Sequence, residues 1–296
     1  LLVIKNWFMN YSITEKHCIY LIIVLVLIPA FFYFELCVVL PAVVQEWTLP
    51  YFIHLFIAHF LLINIIGNMI YGMFTNTSIK GRILDSYGKS GWTFCDVCEC
   101  HRPPRAWHCP TCDICILKRD HHCTFFACCV GYFNQRYFVL FTFYVFISMV
   151  YAFYYNVKFL SQFITWNHGL ILLKFFFPLA SIVIDFGNET FYVLLIVINL
   201  IVGLFTGFLF LYHLNNILKG VIVYEKNNNI KDFVPNKGWK VNITEVFGKH
   251  WYLTWILPFI HSPLPGNGME WNPKTISCFG SGIDNRREYS RGYEKK

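Results

Sequence analysis

Charged side chains are scarce in this 296-residue chain. Asp, Glu, Lys and Arg together make up 14% of it, whereas soluble domains carry about 25%. Hydrophobic residues reach 56%, aromatic residues 20%, and the mean hydropathy is +0.47. The lack of charge excludes an ordinary soluble globule, and the abundance of aromatic residues excludes a mainly disordered chain. The composition indicates a protein that is solvated largely by lipid.

Four hydrophobic stretches are long enough to cross a bilayer, which takes about 20 mostly apolar residues in a helix. They run from about Cys18 to Val39, Pro50 to Phe74, Tyr137 to Val157 and Phe191 to Leu214. A fifth stretch, Gly169 to Ile184, is shorter and contains Lys174. We interpret it as a re-entrant or interfacial segment, with a fifth span as the alternative.

Basic residues are sorted by these stretches. Of the 24 Lys and Arg residues, only Lys158 and Lys174 lie between the third and fourth stretches, and the other 22 lie on the opposite side. The positive-inside rule therefore predicts that both termini and the 75–136 loop face the cytosol. A fifth span would move the twelve C-terminal basic residues across the membrane, so the charges favour four spans.

Nine of the twelve cysteines fall within 35 residues of the predicted cytosolic loop. They are Cys95, Cys98, Cys100, Cys109, Cys112, Cys115, Cys123, Cys128 and Cys129. Cytosolic thiols stay reduced, so the cluster predicts metal ligands or nucleophiles rather than disulfides. The C-x2-C pairs suit tetrahedral zinc. Together with two histidines and two further cysteines they supply eight ligands, which predicts two structural zinc ions.

The run Asp120-His121-His122-Cys123 suggests a division of labour. In an extended backbone, alternate side chains share a face, so His121 and Cys123 lie together while His122 points to the other side. We hypothesise that His122 binds zinc and that His121 accepts the thiol proton of Cys123. Asp120 would hold the imidazole in position; the alternative is that Asp120 only caps a turn.

The position of Cys123 suggests its electrophile. It precedes the third predicted span by 14 residues, which brings its thiolate near the membrane surface. Long-chain acyl-CoA partitions into bilayers and carries a thioester. Cys123 could take up the acyl group and pass it to another thiol, since exchange between thioesters is close to isoenergetic.

The motifs of this loop resemble those of the DHHC-type protein S-acyltransferases (palmitoyltransferases). The resemblance covers about 44 residues, and the four-span plan agrees with it. It rests on Cys95-x2-Cys98, Arg102-Pro103-Pro104-Arg105, His108-Cys109-x2-Cys112-x2-Cys115, Asp120-His121-His122-Cys123, Cys129-Val130-Gly131, Asn134 and Phe138.

The resemblance implies specific roles. Cys123 would be autoacylated, with Asp120 and His121 completing a triad. One zinc ion would be held by Cys95, Cys98, His108 and Cys115, and a second by Cys109, Cys112, His122 and Cys129. Downstream, Gly238, Asn242 and Val246-Phe247-Gly248 look like the family's C-terminal element, which we expect to pack the tail onto the zinc domain.

Some positions depart from the family pattern. Thr124-Phe125-Phe126-Ala127-Cys128 replaces the usual Pro-Trp-Val-Asn-Asn, and Cys128 competes with Cys129 as a zinc ligand. We assign Cys129, because Val130-Gly131 sets the register. Ile222-Val223-Tyr224-Glu225 replaces Thr-Thr-x-Glu, which puts hydroxyl contacts from that element in doubt.

We therefore predict an α-helical polytopic membrane protein: a four-span bundle with a cytosolic cysteine-rich two-zinc domain between spans two and three. The predicted segments are a cytosolic N-terminus (1–17), spans one and two (18–74), the zinc and catalytic domain (75–136), spans three and four with a luminal loop (137–214), and a cytosolic C-terminal region (215–296).

The predicted activity is transfer of a long-chain acyl group, such as palmitoyl, from acyl-CoA through Cys123 to cysteines of cytosol-facing proteins. Lys118, Arg119 and Arg136 are candidate contacts for CoA phosphates, with anionic lipid headgroups as the alternative. The expected partners are acyl-CoA, membrane lipids and protein thiols in the endoplasmic reticulum or Golgi, and not nucleic acid. The alternatives are a zinc-containing scaffold that has lost transfer activity, and a zinc-sensing or redox protein.

Overall fold

The computed structural model of the chain describes residues 26–82, 91–163, 174–184, 187–230 and 237–271. Its helices, in chain order, are α1 (Ile28–Phe34), α2 (Leu40–Val43), α3 (Leu49–Phe74), α4 (Gln135–Leu160), α5 (Pro178–Ile184), α6 (Asn188–Leu218), α7 (Val223–Asn227) and α8 (Trp239–Phe247). A π-helical turn, Glu35–Val39, joins α1 to α2.

Within the described residues, three helices are long and apolar enough to cross a membrane: α3 with 26 residues, α4 with 26 and α6 with 31. They match the second, third and fourth predicted spans, each starting and ending within a few residues of the prediction. The first predicted span begins outside the described residues, and its described part is the shorter apolar run Ile28–Val43. The fifth stretch also begins outside them, and its described end contains α5.

Small residues let the long helices approach one another, as is common in membrane bundles. A methyl group at Gly207 of α6 would lie 2.8 Å from the ring of Phe146 on α4. Near the end of α3, a methyl group at Gly72 would overlap the ring of Phe126, in the cysteine-rich domain. The second contact fixes the last turn of α3 against that domain.

The cysteine-rich domain consists of three antiparallel hairpins whose strands are three residues long: β1 (Thr93–Cys95) with β2 (Cys100–Arg102), β3 (Trp107–Cys109) with β4 (Ile114–Ile116), and β5 (His121–Cys123) with β6 (Cys128–Val130). Glu99 and Asp113 directly follow the C-x2-C pairs and adopt left-handed backbone angles, with φ of 49° and 51°. These tight turns bring each pair of thiols to one point. Such short hairpins need cross-links to persist.

The C-terminal segment packs against both the membrane helices and the zinc domain. The side chain of Asn242 donates to the carbonyl of Leu218 at the end of α6, at 2.8 Å, and buried Phe247 stacks on Trp255. The helix α8 packs against α6 and α4, and its Val246 and Phe247 share one buried hydrophobic core with Cys123 and Phe126 of the zinc domain, which agrees with the expected packing. Further along the chain, Leu264, Met269 and Trp271 also pack against the zinc domain.

Candidate active site

The β5–β6 hairpin carries the candidate nucleophile. Because β5 is an extended strand, His121 and Cys123 project to one face and His122 to the other. A 3-10 turn at Thr124–Phe126 and left-handed Ala127, with φ of 53°, reverse the chain towards β6. The extended backbone on which the sequence-based division of labour depends is thus present.

Asp120 and His121 form a close pair. Nδ1 of His121 lies 2.7 Å from Oδ2 of Asp120, and Asp120 is 1% exposed. An imidazole that donates its Nδ1 proton to a carboxylate keeps a lone pair on Nε2. The contact therefore selects the tautomer that can accept a proton, and the ring of Phe138, 4.8 Å away, supports the imidazole edge-on.

Two groups from the other side of the bundle also approach Asp120. The backbone N–H of Val223 donates to Oδ1 at 2.9 Å, and Nδ1 of His213 lies 3.4 Å from Oδ2. Burial alone would raise the pKa of Asp120, but the N–H groups of His121 and His213 bring it well below its usual value. Asp120 is therefore an ionised carboxylate in a buried site.

Sequence reasoning missed His213. It is a buried titratable residue inside the otherwise uncharged stretch from Phe191 to Leu214. An ionisable residue within a membrane span is by default a candidate functional residue. That signal was available, but which group His213 contacts was not, because 93 residues separate it from Asp120.

Cys123 is a buried thiol. It is 5% exposed, and burial raises its pKa to about 11, although backbone N–H groups of Phe126 and Phe125 partly oppose this. A thiol with such a pKa is almost entirely protonated near pH 7. It needs a base close by to become a nucleophile, and on this face of β5 the neighbouring base is His121.

Four residues from the first two hairpins form a group that we call the first cluster: Cys95, Cys98, His108 and Cys115. Their candidate ligand atoms all lie within 4.8 Å of one another. Nδ1 of His108 lies 3.2 Å from the sulfur of Cys98, while its Nε2 faces Asp113 at 3.9 Å. A carboxylate behind a histidine ligand is a common arrangement at zinc sites.

Four residues from the second and third hairpins form what we call the second cluster: Cys109, Cys112, His122 and Cys129. His122 and Cys129 are direct partners across β5 and β6. Cys128 is not in this group, because its sulfur lies 3.7 Å from the carbonyl of Gly72. The choice of Cys129 over Cys128 agrees with the sequence-based assignment.

The spacing of these atoms fits zinc. Tetrahedral zinc with Zn–S bonds of about 2.3 Å and Zn–N bonds of about 2.0 Å separates its ligand atoms by about 3.5–3.8 Å. The sulfurs of Cys112 and Cys129 are 3.7 Å apart. Nδ1 of His122 lies 3.2 Å from the sulfur of Cys112 and 3.7 Å from those of Cys109 and Cys129. When bound, such an ion stabilises the folded hairpins.

The element after α6 connects the fourth hydrophobic stretch to the cysteine-rich domain. Both carboxylate oxygens of Glu225 accept hydrogen bonds from Arg105 at 2.7 Å, and both side chains are buried. Breaking a buried pair of this kind typically costs about 3–5 kcal/mol. Hydroxyl groups are absent at Ile222 and Val223, but the backbone N–H of Val223 makes the contact with Asp120. This element therefore keeps a contact with the active site, through a backbone N–H group, although Ile222 and Val223 lack the family's hydroxyl groups.

An apolar cavity of about 450 Å³ opens inside the helix bundle. Phe125 of the hairpin turn and Phe138 of α4, which contacts His121, are part of its wall. Its lining also includes Glu35 and His54. Glu35 accepts a hydrogen bond from Asn156 at 2.7 Å, and His54 bonds to Tyr151. The cavity thus runs from the active-site hairpin towards the opposite ends of the helices.

The three basic residues predicted to contact CoA have other partners. Lys118 is 4% exposed, its Nζ lies 5.8 Å from the centre of the Trp271 ring, and burial lowers its pKa to about 8. Arg119 donates to the carbonyl of His108 at 2.9 Å. Arg136 donates to the carbonyl of Ser262 at 3.3 Å and lies over the ring of Tyr137. None of these contacts tests CoA binding, which stays a prediction.

Known proteins with similar sequences identify the family of this chain. The model of the DHHC palmitoyltransferase family matches residues 88–230. A mouse protein named "Probable palmitoyltransferase ZDHHC24" is 30% identical over 226 residues, which are 73% of this chain and 77% of the relative. The zebrafish protein of that name is 34% identical, over 73% of this chain and 74% of its own length. The chain belongs to the DHHC palmitoyltransferase family.

Other named acyltransferases also match parts of the chain. An Arabidopsis protein named "Probable protein S-acyltransferase 12" is 29% identical over 224 residues, 69% of this chain and 72% of its own length. Yeast palmitoyltransferase PFA3 is 47% identical, but over only 64 residues. In this DHHC chain, the two cysteine–histidine clusters contain the same residues as the two ligand sets that the resemblance implied.

Proposed function

We propose that the chain is a protein-cysteine S-acyltransferase that uses long-chain acyl-CoA, most simply palmitoyl-CoA, and forms an acyl-Cys123 intermediate. The observation that carries the proposal is the β5–β6 hairpin. It holds a buried thiol on the same face as a histidine whose tautomer is set by an ionised Asp120. The apolar cavity beginning at Phe125 and Phe138 can take the acyl chain.

The first half-reaction loads the enzyme. Nε2 of His121 accepts the proton of Cys123, and Asp120 stabilises the resulting imidazolium. The thiolate attacks the thioester carbonyl of acyl-CoA, a new carbon–sulfur bond forms, and the bond to the CoA sulfur breaks. CoA leaves as a thiol with the proton that His121 returns.

The second half-reaction transfers the acyl group. His121 accepts the proton of an acceptor cysteine, whose sulfur attacks the acyl-Cys123 thioester. The sulfur of Cys123 leaves and regains its proton, which restores the enzyme. Both half-reactions exchange one thioester for another, so they need a good nucleophile more than a large driving force.

We further propose the membrane arrangement inferred from the charges: four spans, both termini and the 75–136 domain in the cytosol, and a luminal loop within 137–214. The segments 1–17, 18–74 and 215–296 keep the roles predicted above, and the organelle is the endoplasmic reticulum or Golgi. The distribution of 22 basic residues against two supports this orientation. Lys118, Arg119 and Arg136 stay candidate contacts for CoA phosphates.

The function is tested by incubating the purified protein with labelled palmitoyl-CoA and then adding a cysteine-containing acceptor peptide. The parent protein should carry label that hydroxylamine releases and that moves to the peptide. Cys123→Ser should carry none, whereas Cys128→Ser, the matched variant on the partner strand, should still be labelled. Label on Cys123→Ser would contradict the proposal, and self-acylation without transfer would favour the scaffold alternative.

A further inference from the structure

We propose that His213 is a positioning residue for the acyl-transfer site: a histidine on the last membrane helix that fixes Asp120 so that Asp120 can orient His121. The inference rests on the proposed function, since it concerns the same reaction. It does not give His213 contact with the acyl group or with Cys123. His213 would act through Asp120 alone.

The surroundings of Asp120 carry the argument. A carboxylate that is 1% exposed must replace its lost hydration with several N–H donors. Oδ1 accepts a hydrogen bond from the backbone N–H of Val223 at 2.9 Å. Oδ2 receives His121 at 2.7 Å and faces Nδ1 of His213 at 3.4 Å. Without His213, the only side-chain donor near Asp120 among these contacts would be the catalytic base itself.

His213 is also confined to this position. It is 5% exposed, and its ring lies 4.8 Å from Phe138, the same ring that supports His121. The centroids of the two imidazole rings are 5.1 Å apart. Both imidazoles therefore direct Nδ1 at one carboxylate oxygen from opposite parts of the chain, one from β5 and the other from α6.

The distance of 3.4 Å is longer than an ordinary hydrogen bond. Contacts in an active site without substrate are often loose and shorten in the reacting complex. When His121 becomes an imidazolium, the negative charge on Asp120 must stay in place beside it. A second donor on the same oxygen restrains the carboxylate while His121 carries the proton. Removal of this donor should therefore lower the rate of acylation and leave acyl-CoA binding unchanged.

Two amide variants separate this role from simple packing. His213→Asn carries an N–H group near the position of Nδ1, whereas His213→Gln carries its amide near the position of Nε2, away from Asp120. Single-turnover acylation of the parent, both variants and a control, His59→Gln, is measured over a range of palmitoyl-CoA concentrations. His59 lies exposed on α3 and bonds to the carbonyl of Leu55.

The expected result is a roughly tenfold lower maximal rate for His213→Gln, equivalent to about 1.4 kcal/mol, with an unchanged half-saturating palmitoyl-CoA concentration. His213→Asn should stay within about threefold of the parent, as should His59→Gln. Zinc content and melting temperature confirm that both amide variants fold. A parent-like rate for His213→Gln, or equal losses in both amide variants, would overturn the inference. If the parent forms no acyl-Cys123, the proposed function itself fails.

Discussion

The first and second clusters have the same composition, three cysteines and one histidine, but they have different neighbours. The first cluster joins β1 to the β3–β4 hairpin and includes no residue of β5 or β6. The second cluster takes His122 from β5 and Cys129 from β6, which are direct partners. His122 lies between the candidate base and the candidate nucleophile, so a zinc ion there would fix the catalytic hairpin as well as the fold.

Because of this difference, zinc ions at the two clusters would have different roles. Zinc at the first cluster would hold the domain together, and Met269 and Trp271 of the C-terminal segment pack against the hydrophobic core that includes Cys95 and Cys115. Zinc at the second cluster would also hold the backbone on which His121 and Cys123 share a face. The comparison therefore predicts unequal losses of activity when equivalent ligands are removed.

The largest effect should follow from Cys129→Ser. Loss of this ligand frees β6 from His122, and we expect acylation of Cys123 to fall by at least about 100-fold, because structural zinc contributes many kcal/mol to a small domain. Single-turnover labelling and zinc content measure the loss. Parent-like acylation with one zinc ion missing would contradict the special role of the second cluster.

Cys95→Ser should have a smaller effect on chemistry. It removes a ligand of the first cluster, and we expect a lower melting temperature but only about a tenfold lower acylation rate per folded molecule. Zinc content and melting curves establish the folded fraction at a temperature below the transition. If Cys95→Ser and Cys129→Ser lose equal activity per folded molecule, the two clusters do not differ as proposed.

Val223→Pro tests how much a residue outside the two clusters contributes to the positioning of Asp120. Val223 is the first residue of α7, and the preceding Ile222 has an extended backbone, so proline fits both positions. The substitution removes the N–H group that donates a hydrogen bond to Asp120, and it also replaces the valine side chain with the proline ring. We expect about a fivefold slower acylation, because hydrogen bonds to charged groups are among the stronger ones.

Val223→Ala is the matched control, since it keeps the backbone N–H. It should acylate at nearly the parent rate. Equal slowing in the alanine and proline variants would mean that the side chain of Val223 matters and that the N–H group does not.

The smallest effect should come from Cys128→Ser, one residue before a zinc ligand. The Cys128 sulfur contacts the carbonyl of Gly72 at 3.7 Å and lies outside both clusters. We expect two bound zinc ions and an acylation rate within about threefold of the parent, as for a conservative change that removes no strong contact. Loss of a zinc ion, measured by elemental analysis, would show that Cys128 is a ligand after all.

Much of the site could be predicted because its residues are close in sequence. Strand alternation separated His121 from His122, and the spacing of nine cysteines predicted two zinc ions. The groups that reach Asp120 from α6 and α7 could not be predicted in the same way. Val223 acts through its backbone, which side-chain identity does not reveal, and His213 is far away along the chain.

In the fold, too, some features could be predicted from the sequence and others could not. Hydrophobic length predicted α3, α4 and α6 closely, because a membrane-length apolar run has few other structures. The individual contacts of Asn242 and Phe247 could not be predicted, because they depend on how α6 and α4 lie side by side. Composition and spacing do not contain that information.

The central claim is that Cys123 alone among the hairpin thiols carries the acyl group. Trypsin cleavage after Arg119 and Arg136 releases one peptide that contains Cys123, Cys128 and Cys129. Fragmentation of this peptide by mass spectrometry, after brief exposure of the protein to palmitoyl-CoA, locates the modification. The account predicts the acyl group on Cys123 and none on the other two thiols. An acyl group on Cys128 or Cys129, with Cys123 unmodified, would contradict it.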